Sequence, residues 1–190
     1  LTIVLILGLV PAAATAPPNR YGEASPRPRS EDAIRLATYN VLNLFDHDDD
    51  PRLKGEQDDR PMATTDERCR ALAAVIRKID ADIIALQEVE SMACLRWFRD
   101  TYLSDLGYDW LASEDVGYYR GVECSVMSRF KITNVRTWPA TNLDRVERRG
   151  PGWDDVPADR RRGLKYQRSP MRVDLTVNDG YELTLVVLHH

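Results

Sequence analysis

The order of short apolar segments constrains the fold of this chain most strongly. Ile34–Val41 alternates like a half-buried strand, and Asp82–Leu86 is the short apolar run of a buried strand. Asp66–Ile79 and Ser91–Leu103 carry apolar residues at helical spacing, which predicts two helices. The order of strand, helix, strand, helix and then several strands predicts an α/β (α+β) domain of packed sheets with outer helices.

The second half of the chain consists mainly of predicted strands. Asn178-Asp179-Gly180 is a strong hairpin-turn signal, so the two strands beside it are expected to pair. The long polar stretch Thr141–Gln167 is predicted to be a loop. The predicted strands of this half are Val122–Met127, Ile132–Trp138, Met171–Val177 and Leu183–Leu188.

The start of the first helix shows a local signal of its own. Thr64 and Glu67 have the spacing of a capping box, in which each side chain bonds to the other residue's backbone N–H. The apolar residues of this helix that share one face are Leu72, Val75, Ile76 and Ile79. We expect that face to be buried.

The net charge and the cysteine content only partly limit which classes of function this protein can have. The net charge is −4, from 26 Lys and Arg against 30 Asp and Glu, which does not support tight, sequence-blind DNA binding. A metal-assisted enzyme can still act on phosphate, because the ion supplies positive charge. Cys69, Cys94 and Cys124 permit one disulfide and a free thiol, but their apolar surroundings favour three buried thiols.

The N-terminal residues have the pattern of a targeting segment. The apolar run Leu1–Val10 precedes Ala14-Thr15-Ala16, so residues 1–16 are predicted to be a signal peptide, the alternative being a buried strand or helix. Residues 17–33 are proline-rich and predict a disordered linker, with the folded domain at 34–190. We expect a secreted or periplasmic protein without a stable membrane anchor.

Polar side chains with catalytic chemistry follow the apolar runs. Asn40 can offer its amide to a phosphate oxygen or a metal-bound water, although a turn-forming Asn is the commoner case. Glu88 suits a hard cation such as magnesium, or else simply begins the next helix. His189 follows a β-branched run and can bond phosphate or move protons. Arg120 and Arg129 are phosphate-binding candidates or solvated cations.

Five blocks in this order resemble the endonuclease/exonuclease/phosphatase superfamily, whose fold is DNase I-like. The resemblance covers about Ile34 to His190 and implies a four-layer sandwich of two mixed sheets flanked by helices. The blocks are Ala37–Asn40, Leu86–Val89, Arg120–Arg129, Tyr166–Pro170 and Val187–His190.

The resemblance also implies roles for individual residues. Asn40 would orient the phosphate or a metal-bound water, and Glu88 would bind Mg²⁺ or another divalent cation such as Mn²⁺ or Ca²⁺. His189 would contact the phosphate as a catalytic residue. Arg168 matches the motif arginine and, with Arg120, would bind the substrate phosphate.

The implied function is metal-dependent hydrolysis of phosphoesters by a nuclease, phosphodiesterase or phosphatase. Nucleic acid, inositol phosphates and phospholipid head groups all remain candidate substrates, and no partner protein is implied. The alternative from another class is a non-catalytic binding module with the same fold. In the superfamily, G-D-x-N, S/T-x-D and D-H blocks follow the histidine, so we expect this chain to be an N-terminal portion. The general base and second histidine would then lie in the remainder.

Overall fold

The computed structural model of the chain describes residues 28–30, 33–48, 62–116, 121–139, 166 and 168–189. The predicted signal peptide, most of the predicted linker, Arg120 and His190 lie outside the described residues. The domain boundaries therefore stay a prediction. Near the start of the described part, Arg29 forms an ion pair with the buried Asp82.

Two helices and seven strands make up the regular structure of the described residues. A 3₁₀ turn at Asn178–Gly180 joins the last two strands, as the sequence predicts. Neither of these helices is long and apolar enough to cross a membrane. The elements are β1 (Leu36–Leu44), α1 (Asp66–Ile79), β2 (Ile83–Val89), α2 (Met92–Tyr102), β3 (Trp110–Ser113), β4 (Glu123–Ser128), β5 (Lys131–Thr137), β6 (Met171–Thr176) and β7 (Glu182–Val187).

The strands form two sheets of different character. The first sheet has the order β1-β2-β4-β3 and is mixed, because β1 and β2 run parallel while β4 is antiparallel to both β2 and β3. The second sheet has the order β5-β6-β7 and is antiparallel throughout its described strands. Parallel pairing of β1 and β2 brings their carboxyl ends to the same edge of the first sheet.

Two hydrophobic cores hold the layers together. One core joins both helices to the first sheet and includes Leu72 and Ile76 of α1, Phe98 of α2 and Leu86 of β2. The other core lies between the sheets, where Val126 faces residues of β6 such as Val173. This arrangement confirms the α/β class and the packing of two sheets with helices outside. The described residues supply three layers, in the order helix, sheet, sheet.

The predicted capping box at the start of α1 is wrong. Thr65 is the N-cap, and its side chain accepts from the backbone N–H of Arg68. The hydroxyl of Thr64 instead accepts from the backbone N–H of Phe45 at 2.9 Å and donates to the carbonyl of Asn43 at 3.3 Å. Thr64 therefore attaches the end of β1 to the helix, a contact that no local pattern indicates.

The buried face of α1 also differs from the predicted one. Leu72 and Ile76 are buried as expected, but Val75 is 41% exposed. Cys69 and Ala73 complete the buried stripe, because they lie one turn from Leu72 and Ile76 on the side that faces the sheet.

Two strands extend beyond their predicted ends, and one strand was missed. β1 continues past Val41 to Leu44, and β2 continues past Leu86 to Val89. Both extensions contain irregular backbone that breaks the local apolar pattern. β3 (Trp110–Ser113) has a short, weak pattern and exists through its pairing with β4.

Candidate active site

The carboxyl ends of β1 and β2 and the end of β7 meet at one place. Asn40 on β1 pairs in register with Gln87 on β2, and Glu88 follows directly. His189 lies just beyond the end of β7. The fold therefore brings together the polar residues that three separate apolar segments carry at their ends.

The backbone of β1 is bent immediately after Asn40. Leu42 and Asn43 have φ values of 60° and 62°, in the left-handed region that L-residues rarely adopt. Pairing with β2 jumps from Asn40 to Leu44 across this bend. The side-chain oxygen of Asn40 accepts from the backbone N–H of Leu42 at 2.8 Å, so its amide nitrogen is left to donate elsewhere.

β2 carries a bulge at Glu88. Glu88 has a φ of 69°, and the pairing with β4 shifts between Gln87 and Val89. A glutamate with positive φ is uncommon, and such strained positions concentrate at functional sites. The bulge changes the direction of the Glu88 side chain, which is only 10% exposed, so that its Oε1 lies 3.2 Å from Nε2 of His189.

Three side chains converge on that single ring nitrogen of His189. The amide nitrogen of Asn40 lies 3.4 Å from Nε2, Glu88 contacts the same atom, and Arg168 Nη1 is also within hydrogen-bond distance. The amide nitrogen of Asn40 and the guanidinium of Arg168 can only donate, which requires a lone pair on Nε2, whereas the Glu88 carboxylate requires a proton there. One nitrogen cannot satisfy both demands. An additional acceptor oxygen among these groups would let Asn40, Arg168 and a protonated Nε2 all donate.

The Glu88 carboxylate is a suitable ligand for a magnesium ion. Within the described part of the chain, His189 is the one polar partner found for the Glu88 carboxylate, and it contacts Oε1. The second carboxylate oxygen can therefore ligate a cation. Mg²⁺ is commonly held by one or two carboxylates together with water and substrate phosphate, so a single protein carboxylate at a phosphate site suits it.

A second acidic group lies behind β2 and fits a metal less well. Asp46, Glu90 and Cys94 offer ligand atoms within 4.8 Å of one another. Burial raises the pKa of the Cys94 thiol well above its usual range, with help from the two carboxylates. The thiol therefore stays protonated and bonds to the carbonyl of Leu44, while the backbone N–H of Asp46 donates to Glu90. These contacts indicate that the three side chains form a polar cluster with a structural role.

The structure brings together four of the five site residues that the sequence predicts: Asn40, Glu88, Arg168 and His189. Arg120 lies outside the described residues and stays a prediction. The candidate Arg129 lies at the opposite end of the first sheet, where it pairs with Asp80 at 2.8 Å and Asp82 at 3.2 Å. Its guanidinium is therefore engaged in a structural ion-pair network.

Sequence reasoning missed the residues that support the site from neighbouring positions. The amide of Gln87 donates to the hydroxyl of Thr38 at 3.1 Å and joins β2 to β1, two residues before Asn40 and one residue before Glu88. Arg68 of α1 donates to backbone carbonyls of the bend in β1. Gln87 belongs to a recognisable sequence block, whereas no local pattern distinguishes Arg68 from a surface arginine.

No protein-family model and no curated protein matches the chain. Solved structures that are similar to it include the following three. The human Nocturnin catalytic domain with bound sulfate is 19% identical, with a TM-score of 0.44 over 80% of this chain and 48% of that one. ANGEL2, a 2',3'-cyclic phosphatase, is 16% identical, with a TM-score of 0.46 over 80% and 39%. A β-hairpin deletion mutant of beta toxin from Staphylococcus aureus is 10% identical, with a TM-score of 0.41 over 81% and 50%. The chain spans half or less of the length of each structure.

Proposed function

We propose that this chain is part of a divalent-metal-dependent phosphoester hydrolase of the endonuclease/exonuclease/phosphatase superfamily, as its sequence blocks imply. The observation that carries the proposal is the convergence of Asn40, Glu88 and Arg168 on Nε2 of His189. The two donors beside the His189 imidazole suit an oxyanion ligand, and the buried carboxylate of Glu88 suits a cation. The proposal concerns the whole protein, because the chain spans half or less of the structures that it matches.

The donors at the site would hold the phosphoryl group. Arg168 supplies a fixed positive charge, and Asn40 supplies an amide N–H whose direction is set by its bond to Leu42. Donors that are already oriented stabilise charge as it develops in the transition state, and removing one typically costs about 10²–10³ in rate. These two residues therefore bind and orient the phosphate oxygens.

His189 would donate a hydrogen bond at a defined atom. Its Nε2 lies 3.2 Å from the Glu88 carboxylate, and when Nε2 carries a proton it can donate there. The same N–H can donate to a phosphate oxygen that lies among Asn40, Arg168 and His189. The ring is only 9% exposed, so its orientation is held by its neighbours.

Glu88 would hold the metal through its carboxylate. When bound, Mg²⁺, or Mn²⁺ or Ca²⁺ in its place, polarises the phosphoryl oxygen and neutralises developing charge. The bulge at Glu88 places the carboxylate beside the proposed phosphate donors. We also propose export to the periplasm or the medium, which the apolar run and cleavage pattern of residues 1–16 support.

Substitution of Glu88 tests the proposal in the complete protein. Glu88→Gln keeps the shape of the side chain but removes its charge, so hydrolysis of bis(p-nitrophenyl) phosphate with Mg²⁺ should fall by about 10²-fold or more. The matched control is Glu67→Gln, because Glu67 is an exposed glutamate in the first turn of α1. That control should retain the wild-type rate.

Metal titration separates the outcomes of this experiment. Chelation with EDTA should abolish turnover by the wild-type protein, and added Mg²⁺ should restore it. Wild-type rates in the Glu88→Gln variant at saturating Mg²⁺ would contradict the metal assignment. A wild-type protein that binds phosphate esters without hydrolysing them would support the binding-module alternative instead.

A further inference from the structure

Arg68 makes an unusual set of contacts from the first turn of α1. Its guanidinium donates to three successive backbone carbonyls of β1: Val41 at 2.6 Å, Asn43 at 3.2 Å, and Leu42 between them. Three carbonyls that point toward one cation require a sharply curved backbone. The contacts therefore coincide with the bend that follows Asn40.

Contacts from other residues hold Leu42 at the centre of that bend. Leu42 has a φ of 60°, which is unfavourable for a leucine because its Cβ crowds the backbone. The Leu42 side chain is 65% exposed, so burial does not compensate for the backbone strain. Arg68 donates to the carbonyls of this segment, Thr64 also donates to the carbonyl of Asn43, and the Asn40 side chain accepts from the N–H of Leu42. Of these three side chains, that of Arg68 bonds to the carbonyl of Leu42 at the centre of the bend.

The position of Arg68 on its helix argues for the same role. A cation in the first turn of a helix is repelled by the positive end of the helix dipole, and Asp66 and Glu67 beside it are the favourable choice. Thr65 already caps the helix, so α1 gains nothing from a guanidinium at this point. The benefit of an arginine here lies in its contacts with β1.

The bend in turn determines the direction of the Asn40 amide. The backbone N–H of Leu42 donates to the side-chain oxygen of Asn40 at 2.8 Å, which leaves the amide nitrogen 3.4 Å from Nε2 of His189. A change in the backbone at Leu42 would therefore rotate the Asn40 amide away from the site. A continuous series of contacts joins Arg68 to His189 through Leu42 and Asn40.

We propose that Arg68 is a positioning residue for the phosphate site: it holds the left-handed bend at Leu42 and Asn43, and through it the amide of Asn40. This inference rests on the proposed function, which supplies the reaction that Asn40 serves. Arg68 bonds to the backbone behind the site, so it acts through Asn40.

Kinetics of the complete protein test the inference. Arg68→Gln should lower kcat by about tenfold to a hundredfold, as expected when a group that holds the transition state is displaced. KM should change little, because Arg168 still binds the phosphate. Arg70→Gln is the matched control, since Arg70 lies on the same helix, its side chain is 70% exposed, and its ion-pair partner within the described part of the chain is Asp66. It should leave kcat unchanged. Arg68→Lys, which keeps the charge but loses the fork of donors, should fall between the two.

A rescue experiment separates positioning from general stability. Leu42→Gly adopts positive φ without a Cβ penalty, so the Arg68→Gln/Leu42→Gly double variant should recover at least about threefold in kcat over Arg68→Gln. Amide hydrogen exchange at Leu42 provides a readout independent of activity. Exchange should be faster in Arg68→Gln than in the wild type or in Arg70→Gln.

The two readouts also distinguish the two proposals. A wild-type protein without hydrolytic activity would refute the proposed function, while exchange at Leu42 would still test the role of Arg68. Wild-type exchange and wild-type kcat in a folded Arg68→Gln variant would overturn the inference. Failure of Leu42→Gly to restore kcat in a folded double variant would overturn it as well.

Discussion

The oxygen and the nitrogen of the Asn40 side chain make different contacts. Its side-chain oxygen already accepts from the backbone of Leu42, so only the amide nitrogen faces His189. Through its amide N–H the residue can therefore donate to a phosphate oxygen or to the oxygen of a metal-bound water. The two roles that the sequence resemblance implies for Asn40 both use this donor.

Asn40→Asp tests that assignment at the scale of a single residue. The aspartate keeps the acceptor for Leu42 but replaces the donor with a negative oxygen, which would repel phosphate. Activity should fall by about 10²-fold or more with the melting temperature nearly unchanged. Asn178→Asp is the control, because Asn178 lies in the turn at the other end of β7. Retained activity in Asn40→Asp would show that the amide nitrogen does not touch the substrate.

At the scale of elements, the junction between β1 and α1 determines the shape of the site. Thr64 attaches the end of β1 through Phe45 and Asn43, Thr65 caps the helix, and Arg68 bonds to the bend. These residues lie within five positions of one another, yet each serves a different part of the junction. The helix start is therefore coupled to the active-site strand.

The two threonines should differ in their effects on stability. Thr65→Ala removes an N-cap and should lower the free energy of unfolding by ~1 kcal/mol. Thr64→Val keeps the shape but leaves the N–H of Phe45, a residue that is 1% exposed, without its acceptor, at a cost of about 1–3 kcal/mol. Urea unfolding of each variant measures both values. A harmless Thr64→Val variant would contradict the contact between β1 and the helix.

At the scale of the whole molecule, the three cysteines are distributed over the two hydrophobic cores. Cys69 and Cys94 belong to the core between the helices and the first sheet, and Cys124 belongs to the core between the sheets. All three are free and buried, which confirms the prediction of buried thiols. Burial raises the pKa of Cys124 to about 11 and that of Cys94 well above its usual range.

Thiol reactivity should therefore follow global unfolding. A raised pKa means that the thiolate, the reactive form, is scarce at pH 8 in the folded state and returns to its ordinary fraction when the chain unfolds. Ellman's reagent should react slowly with these three thiols in the native protein and rapidly with them in denaturant. In denaturant a Cys69→Ala variant should titrate one thiol fewer than the wild type. Rapid reaction of Cys69, Cys94 or Cys124 in the native protein would contradict this packing.

The sequence by itself determined those features whose cause is local. The bounds of α1 follow from its periodicity, and the turn at Asn178–Gly180 follows from its turn residues. Asn40, Glu88 and His189 were identifiable because each ends an apolar strand within a recognisable block. The parallel pairing of β1 and β2 then brings two of these strand ends together.

Only the tertiary structure decided the features whose cause lies far along the chain. Leu42, Asn43 and Glu88 adopt positive φ, which no propensity favours, and contacts from Arg68 and His189 accompany that strain. β3 forms because β4 lies beside it. Arg129, which the sequence offers as a phosphate-binding candidate, forms ion pairs with Asp80 and Asp82 in the folded chain. Local sequence patterns reflect interactions between residues that are close along the chain. Bends, bulges and ion pairs depend on groups that meet only when the chain has folded.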